Sequence, residues 1–188
     1  MGFSIEGFKG NFRGGGARPT LFEVQLTSIA NFTGAAAEKF KFTCKSASQP
    51  PSIINPVVLR YFGREVKFEG DRIFPEWTVQ VVNDEDHLVR NALEAWSGRM
   101  NGHETNLNKY GSSDPALYKA DAVVNQFSKT GQLLKSYRFI GLWPGNIGDI
   151  ALSHDATDQV EEFSVTFQYD YWLLDPSPTN ANDISSVL

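Results

Sequence analysis

Four neighbouring side chains in this sequence could bind a metal ion. Asp84, Glu85 and Asp86 offer carboxylate oxygens, and His87 offers an imidazole nitrogen. Both groups are common ligands of divalent metal ions in proteins. A metal site requires the ligands to converge on one point, so the local structure of this segment decides between a catalytic centre and a structural role.

The residues that follow His87 predict a helix. Asn83 or Asp84 can cap its start, and Gly98 lies where a glycine often ends a helix. Carboxylates in the first turn accept hydrogen bonds from free backbone N–H groups and complement the helix dipole, at about 0.3–1 kcal/mol each. The helical spacing is carried by apolar residues at Leu88, Val89, Ala92, Leu93 and Trp96.

Consecutive helical residues point in different directions, so Asp84, Glu85 and Asp86 cannot share one ion there. His87 is spaced to converge with Asp84 alone, and two ligands do not make a site. We therefore predict a capped helix, with no metal and no cofactor. A small metal-dependent enzyme that uses Asp84, Asp86 and His87 is the remote alternative.

The other histidines give no catalytic pattern. His154, Asp155 and Asp158 lie in a short polar segment that predicts a turn with side-chain-to-backbone hydrogen bonds. His103 and Glu104 have no second histidine at helical spacing. The chain lacks the H-E-x-x-H and G-x-S-x-G motifs. These features favour a protein that is not an enzyme.

Most of the chain alternates apolar and polar residues with a period of two, which predicts strands. Turn residues at Gln49-Pro50-Pro51 and at Gly63 separate some of them. We predict a mainly β fold of two packed antiparallel sheets, a β-sandwich or barrel, with one flanking α-helix. The predicted strands are residues 22–26, 40–44, 57–62, 64–68, 77–81, 120–127, 133–142 and 163–171.

Length and charge indicate one acidic domain. The 188 residues, with a net charge of −5, are expected to form a single domain, residues 1–188. Residues 1–18 are expected to be a flexible glycine-rich arm, and residues 175–188 a mobile tail. The negative charge argues against broad affinity for nucleic acid. Cys44 is expected to point into the core, and no apolar run predicts a signal peptide or a membrane anchor.

An ordered series of short motifs resembles the tail tube proteins of contractile-tailed bacteriophages. Each motif is weak alone, but their common order over most of the chain is specific. They are Ala17-Arg18-Pro19 with Leu21-Phe22, Phe42-Thr43-Cys44-Lys45, Gly70-Asp71-Arg72 with Phe74, Trp77-Thr78-Val79, Asn83-Asp84-Glu85 with His87, Gly141-Leu142-Trp143-Pro144 with Asn146 and Gly148, and Phe163, Val165-Thr166 and Asp170-Tyr171-Trp172.

This resemblance implies a structural protein of the virion, made in the host cytoplasm. Six copies would form a ring, and stacked rings would form a tube through which the genome is ejected into the host. The implied partners are further copies of the chain, the tail sheath protein, and the baseplate and tail-terminator proteins. DNA would pass through the lumen without specific binding. A baseplate tube initiator, a tail terminator or a type VI secretion tube subunit are alternatives with the same fold.

Contacts between subunits are expected at aromatic, apolar and proline-rich positions. Residues 46–58 are the candidate hairpin or loop that reaches the adjacent ring. The strand predicted at residues 163–171 is expected to present an edge to a neighbouring subunit. The candidate contact residues are Arg18, Phe22, Pro50, Ile53, Ile54, Phe167, Tyr169, Tyr171 and Trp172.

Overall fold

Nine strands and three α-helices are present in the described part of the computed structural model, which comprises residues 4–12, 16–27, 32, 34–111 and 114–175. The helices are α1 (Ile5–Asn11), α2 (Gly34–Thr43) and α3 (Leu88–Met100), and a short 3-10 helix spans Pro115–Leu117. The strands are β1 (Phe22–Leu26), β2 (Cys44–Ala47), β3 (Ile53–Tyr61), β4 (Arg64–Ile73), β5 (Trp77–Val82), β6 (Ala120–Phe127), β7 (Leu133–Ile147), β8 (Glu162–Gln168) and β9 (Tyr171–Asp175).

Two packed antiparallel sheets share the long strand β7, which confirms the predicted fold class. The first part of β7 pairs with β6 on one side and β9 on the other, and β6 pairs in turn with β1. The last part of β7 pairs with β8, which is followed by β5 and then β2. The strand order is therefore β1-β6-β7-β8-β5-β2, with β9 beside β7.

The strand predicted at residues 163–171 is divided between the two sheets. β8 ends at Gln168, and β9 begins at Tyr171 and continues along the same side of β7. β8 lies between β5 and β7, so it is a central strand and not the edge that the sequence predicted. The amide of Asp170 donates to the carbonyl of Ile140 at 3.0 Å where both chains turn from one sheet into the other.

Gly141 makes this turn possible in β7. Its φ is +70°, a conformation that side chains rarely adopt, and a Cβ there would collide with the carboxylate of Asp170. Lys119 holds that carboxylate through two contacts of 2.7 Å. A bend with a glycine at the corner is a known way for a strand to pass between two sheets.

Aromatic side chains fill the space between the sheets. Trp77 stacks on Phe139 with 4.4 Å between ring centroids, and Phe139 meets Tyr169 edge to face at 5.0 Å. Under the helices, Phe32 contacts Phe40 and Trp96 at 6.1 and 6.2 Å. All of these side chains are at least 90% buried, so the core is continuous from the sheets to α2 and α3.

The helix α2 replaces a predicted strand at residues 40–44. Phe40 is fully buried whereas Phe42 is 79% exposed, so these two side chains do not share a face. Ala36 and Phe40 do share one, at the i, i+4 spacing of a helix. Cys44 begins β2 and is buried as predicted, and burial raises the pKa of its thiol to about 12.

The helix α3 starts later than predicted. His87, with φ of 50°, precedes its first residue Leu88 and makes no side-chain cap. Asn83 and Asp84 are therefore not the N-cap. Gly98 lies inside the helix, which continues to Met100. The acidic residues form a tight turn between β5 and α3.

The predicted N-terminal arm contains α1. The hydroxyl of Ser4 caps this helix by accepting a hydrogen bond from the amide of Gly7 at 3.1 Å. The flexibility expected of the arm stays a prediction, and residues 1–3 and 13–15 lie outside the described residues. The mobile tail predicted at 175–188 also lies outside them, apart from Asp175. None of the described helices has the length and apolar character needed to cross a membrane.

Candidate assembly surfaces

Lys39 of α2 occupies the centre of the acidic cluster. Its ammonium lies 2.5 Å from the carboxylates of both Asp84 and Asp86. The remaining carboxylate oxygens accept from the backbone, from Glu85 N at 2.8 Å and Leu88 N at 3.0 Å. Hydrogen bonding to Lys39 lowers the pKa of both carboxyl groups, and the two carboxylates raise the pKa of Lys39. The cluster ties α2 to the β5–α3 turn.

Hydrogen bonds within the subunit also surround His87 and the turn that contains His154. The amide nitrogen of Asn83 lies 2.8 Å from Nδ1 of His87. Near His154, the hydroxyl of Ser153 accepts a hydrogen bond from the amide of Asp155 at 3.2 Å, as expected for the predicted turn. Across the described ranges, no three His, Cys, Asp or Glu side chains are grouped so that they could hold a metal ion.

The hairpin β3–β4 projects from the body as a separate two-stranded sheet. Phe62 and Gly63 form its turn, with φ values of 48° and 76°. Positive φ at both central residues is typical of the two-residue turn that suits strand twist. Gly70 is the only residue of β3 or β4 that is not exposed, and a Cβ there would collide with the carbonyl of Asn55 at a bulge in the pairing.

One face of this hairpin is apolar and uncovered. Val57 lies opposite Phe68, Leu59 opposite Val66, and Ile53 opposite Ile73. Directly opposed residues point to the same side of a sheet. The apolar hairpin face is defined by Ile53, Val57, Leu59, Tyr61, Val66, Phe68 and Ile73, which are 40–71% exposed. Arg64 lies at the tip of this face, opposite Tyr61.

The opposite face of the hairpin carries most of its charge. Arg60 and Glu65 form an ion pair there at 3.0 Å, and Lys67 and Glu69 follow along β4. Val58 lies on this face, opposite Lys67. Exposed apolar faces of this kind are typical of sites that bind another protein.

Apart from the hairpin, three strands have an edge that no strand in the described ranges covers. β1 pairs only with β6, β2 only with β5, and β9 only with β7. Tyr171 and Leu173 of β9 are each 43% exposed. Such edges can pair with a strand from another chain.

The predicted contact residues divide into exposed and interior positions. Arg18, Ile53, Ile54 and Tyr171 are exposed, and Phe22 and Trp172 are half-buried. Pro50, Phe167 and Tyr169 are buried within the subunit, and Phe167 and Tyr169 belong to its core, so the single subunit presents none of these three side chains on its surface and their role as contacts stays a prediction.

The contact residues predicted from the sequence include none from the β4 half of the hairpin, which is also exposed. Val66 and Phe68 alternate with Glu65 and Lys67, and this pattern was visible. The pattern predicts a strand of one of the two packed sheets, because alternation does not reveal whether the apolar side is covered by the same chain. The projecting segment is Ile53–Ile73, and not the predicted 46–58.

Comparison with known proteins identifies the family. A family model described as phage tail tube protein matches residues 17–175. The chain belongs to the phage tail tube protein family. It is 32% identical over 157 residues to the tail tube protein gp19 of Enterobacteria phage T4, which covers 83% of this chain and 90% of gp19. The tail tube protein of Serratia phage KSP90 is 25% identical over 169 residues, covering 88% and 94% of the two chains.

Solved structures agree on the fold. A chain in the baseplate of the anti-feeding prophage matches with a TM-score of 0.65 at 10% identity, covering 87% of this chain and 97% of the other. A chain in the sheath–tube complex of the PVC extracellular contractile injection system matches with a TM-score of 0.59 at 14% identity, covering 93% and 99%. This tail tube protein is a structural subunit of the tail and a component of the virion.

Proposed function

We propose that six copies of this tail tube protein close into a ring, and that rings stack into a hollow tube through which the phage genome reaches the host. The observation that carries the proposal is the apolar hairpin face, which the subunit leaves open to water. An isolated two-stranded hairpin is at most marginally stable in water. Packing its apolar side against another subunit removes that surface from water and fixes the hairpin.

We assign the hairpin to contacts between rings. It extends away from both sheets, so it can reach a subunit above or below its own ring. Ile53 stays in the proposed contact set, and Val57, Leu59, Val66 and Phe68 of the same face join it. Ile54 stays in the set from the opposite face of the hairpin, where it lies across from Arg72. The charged face of the hairpin then stays accessible to water or to polar groups of the next ring.

Contacts within a ring are assigned to the free strand edges. β9 exposes backbone N–H and C=O groups on the side away from β7, and a neighbouring subunit can pair with them. Tyr171 and Trp172 of β9 stay in the proposed set, with Arg18 and Phe22 near the β1 edge. Closed rings are an ordinary result of repeated contacts between identical subunits.

The assemblies in which chains of similar fold occur support the six-fold ring and its partners. The baseplate that contains one such fold is described as 6-fold symmetrised, and another such fold lies in a sheath–tube complex. We propose that this protein likewise contacts a tail sheath protein, a baseplate and a terminator. A terminator role for the chain itself is the second candidate, because a tube-terminating cap matches with a TM-score of 0.62 at 16% identity.

The acidic charge suits a passage for DNA. Six chains of net charge −5 carry −30 per ring. A negative lining repels phosphates and lets DNA slide without adhering. We further propose that the protein has no catalytic activity, because Asp84 and Asp86 are engaged by Lys39 rather than open to a substrate.

Electron microscopy of the purified protein tests the assembly. We expect rings at low concentration and tubes of many rings at high concentration. A monomer at every concentration and salt tested would contradict the proposal. Single rings that never elongate would favour the terminator role. Calorimetric titration with divalent ions tests the remaining enzyme alternative, and specific binding abolished by Asp84→Ala in a folded protein would support that alternative.

A further inference from the structure

The helix α1 carries a second uncovered apolar surface. Ile5, Phe8 and Phe12 follow the i, i+3, i+7 spacing of one helical face, and they are 72%, 66% and 50% exposed. The rings of Phe8 and Phe12 stack with 5.2 Å between centroids. No residue of α1 is buried. This helix precedes residue 17, where the match to the tail tube family model begins.

A helix of this size needs a surface to pack on. With seven residues, α1 is shorter than the roughly 12–15 residues at which isolated helices become even marginally stable in water. Ser4 supplies an N-cap and the phenylalanine pair a local contact, but neither removes the apolar face from water. A partner that buries Ile5, Phe8 and Phe12 would stabilise the helix and cover the exposed surface together.

The apolar hairpin face also needs a partner that covers its exposed side chains. Among the described residues, twenty large apolar side chains are exposed, and thirteen of them lie in α1 with its C-cap Phe12 or in the hairpin with its turn. Seven helical residues span about 10 Å. The hairpin positions from Val57 to Tyr61 and their partners on β4 span about 13 Å, at roughly 3.3 Å per residue, so the helix fits within their length. A helical stripe laid on the open face of a sheet is a standard packing arrangement.

The arm and the hairpin leave the body at the same place. The side chain of Gln126 accepts a hydrogen bond from Nε2 of Gln49 at 2.9 Å, just before the hairpin. Nε2 of Gln126 also lies 3.5 Å from the carbonyl of Arg18, at the root of the arm. Both surfaces are nevertheless exposed within one chain, so α1 does not cover the hairpin of its own subunit.

We propose that α1 of one subunit packs on the apolar hairpin face of a neighbouring subunit and fastens the two together. This proposal rests on the assembly under Proposed function and adds the segment that occupies the hairpin. Phe8 and Phe12 insert between the side chains of Leu59, Val66 and Phe68. Since each copy carries one arm and one hairpin, every copy gives one fastening contact and receives one.

Disulfide trapping between separately prepared chains tests this contact. One chain carries Phe8→Cys and the other Leu59→Cys, and they are mixed, assembled and oxidised. Cys44 can stay, because burial raises its pKa to about 12 and leaves it little thiolate. We expect a covalent heterodimer of the two chains. The matched control pairs Phe8→Cys with Val58→Cys, on the opposite face of the hairpin, and should give little of it.

A chain that carries both Phe8→Cys and Leu59→Cys distinguishes a contact between two subunits from a contact within one subunit. Covalent dimers and higher oligomers support contact between subunits. A disulfide confined to one chain, or equal trapping through Val58→Cys, would overturn the proposal. The variant Phe8→Glu is expected to raise the concentration needed for tube growth about tenfold or more, because it places a charge in an apolar contact.

Microscopy of the same samples separates this inference from the proposed function. Tubes that form normally from Phe8→Glu, together with absent cross-links, would overturn the fastening contact and leave the tube intact. Failure of the unmodified protein to form rings or tubes would overturn the proposed function itself.

Discussion

Lys39 joins two parts of the chain that the sequence places far apart. It extends from α2 to Asp84 and Asp86 in the turn between β5 and α3, at 2.5 Å from each carboxylate. Exposed ion pairs contribute little when they are isolated. Here one ammonium serves two carboxylates that also accept backbone hydrogen bonds, so the group acts as a unit. The same acids resembled metal ligands in the sequence, which cannot reveal a lysine from a distant helix.

We expect Lys39→Met to lower the free energy of unfolding at neutral pH, with little effect in strong acid. The pKa values of Asp84 and Asp86 are lowered in the folded state, so their contribution is present above their ordinary pKa of 3.8 and is lost as the pH falls through the lowered values. The raised pKa of Lys39 keeps its charge to high pH, and that part is lost only as the pH rises through the raised value.

Urea unfolding from neutral pH to about pH 2 measures this effect. The control is Lys129→Met, which changes an exposed lysine in the β6–β7 turn by the same chemistry. A stability difference between wild type and Lys39→Met that stays constant across the acid range would contradict the assigned role.

At the scale of the element, β7 and the pair β8–β9 bend together where they cross from one sheet to the other. Gly141 is the residue that allows it, since its φ is +70° and a Cβ would collide with Asp170. Gly131 has a similar φ of +79° in the β6–β7 turn, but open space surrounds it. A substitution at either glycine causes backbone strain, but only one at Gly141 also causes a steric collision. Comparing the two positions therefore distinguishes these effects.

Gly141→Ala is expected to lower the free energy of unfolding by roughly 2–4 kcal/mol, and Gly131→Ala by about 1 kcal/mol. The larger loss includes displacement of Asp170 from Lys119. Chemical denaturation of both variants under the same conditions measures the two values. Equal losses at the two positions would show that the collision with Asp170 does not contribute.

The hairpin gives an element-scale test of assembly. Leu59→Glu places a charge on the apolar hairpin face, and Val58→Glu makes the same kind of change on the opposite face. Both side chains are exposed, so both variants should fold. We expect only Leu59→Glu to block tube growth, measured by sedimentation and microscopy, with circular dichroism to verify folding. Normal tubes from Leu59→Glu would remove the apolar face from the interface.

The local sequence pattern predicts some helices and strands correctly and fails for others. The bounds of β6 agree with the predicted 120–127, and buried and half-buried residues alternate in it from Ala120 to Asn125. α2 was missed because Phe40, Phe42 and Cys44 alternate by chance, whereas Ala36 and Phe40 are the buried residues of a helix that packs on β1 and α3. Tertiary packing decides such short segments, and a single sequence does not contain it.

The sequence indicated that apolar residues form the candidate contact surface, but it did not indicate which of them are exposed. Proline and isoleucine near residue 53 indicated a segment that contacts other subunits, and Ile53 and Ile54 are exposed as such a role requires. Phe167 and Tyr169 were proposed as contacts because they are aromatic, but they lie in the core of the subunit. The residue type shows that a side chain is apolar. Whether that side chain is buried or exposed depends on which face of its sheet the other sheet covers.

At the scale of the whole molecule, like charge opposes the assembly that apolar surface favours. Each subunit carries a net charge of −5, with an isoelectric point near 5.2. Neighbouring subunits therefore repel one another at neutral pH, and dissolved salt screens this repulsion. Burial of the hairpin face is not weakened by salt in the same way.

We expect the concentration needed for tube growth to fall as salt is raised from about 10 mM to about 0.5 M, over which the Debye length shrinks from about 30 Å to less than 10 Å. Light scattering across a dilution series at each salt concentration measures this threshold. A threshold that rises steeply with salt would show that ion pairs, rather than apolar contacts, hold the subunits together.

The shared bend of β7 and β8–β9 also has a mechanical consequence. Two antiparallel strands run from one sheet into the other, joined by hydrogen bonds on both sides of the turn and by the Asp170–Ile140 bond within it. Sliding one sheet over the other would have to break backbone hydrogen bonds, and not only loosen side-chain packing. The subunit therefore resists shear as one stiff body, and a wall built from such subunits transmits an axial load through its covalent backbone.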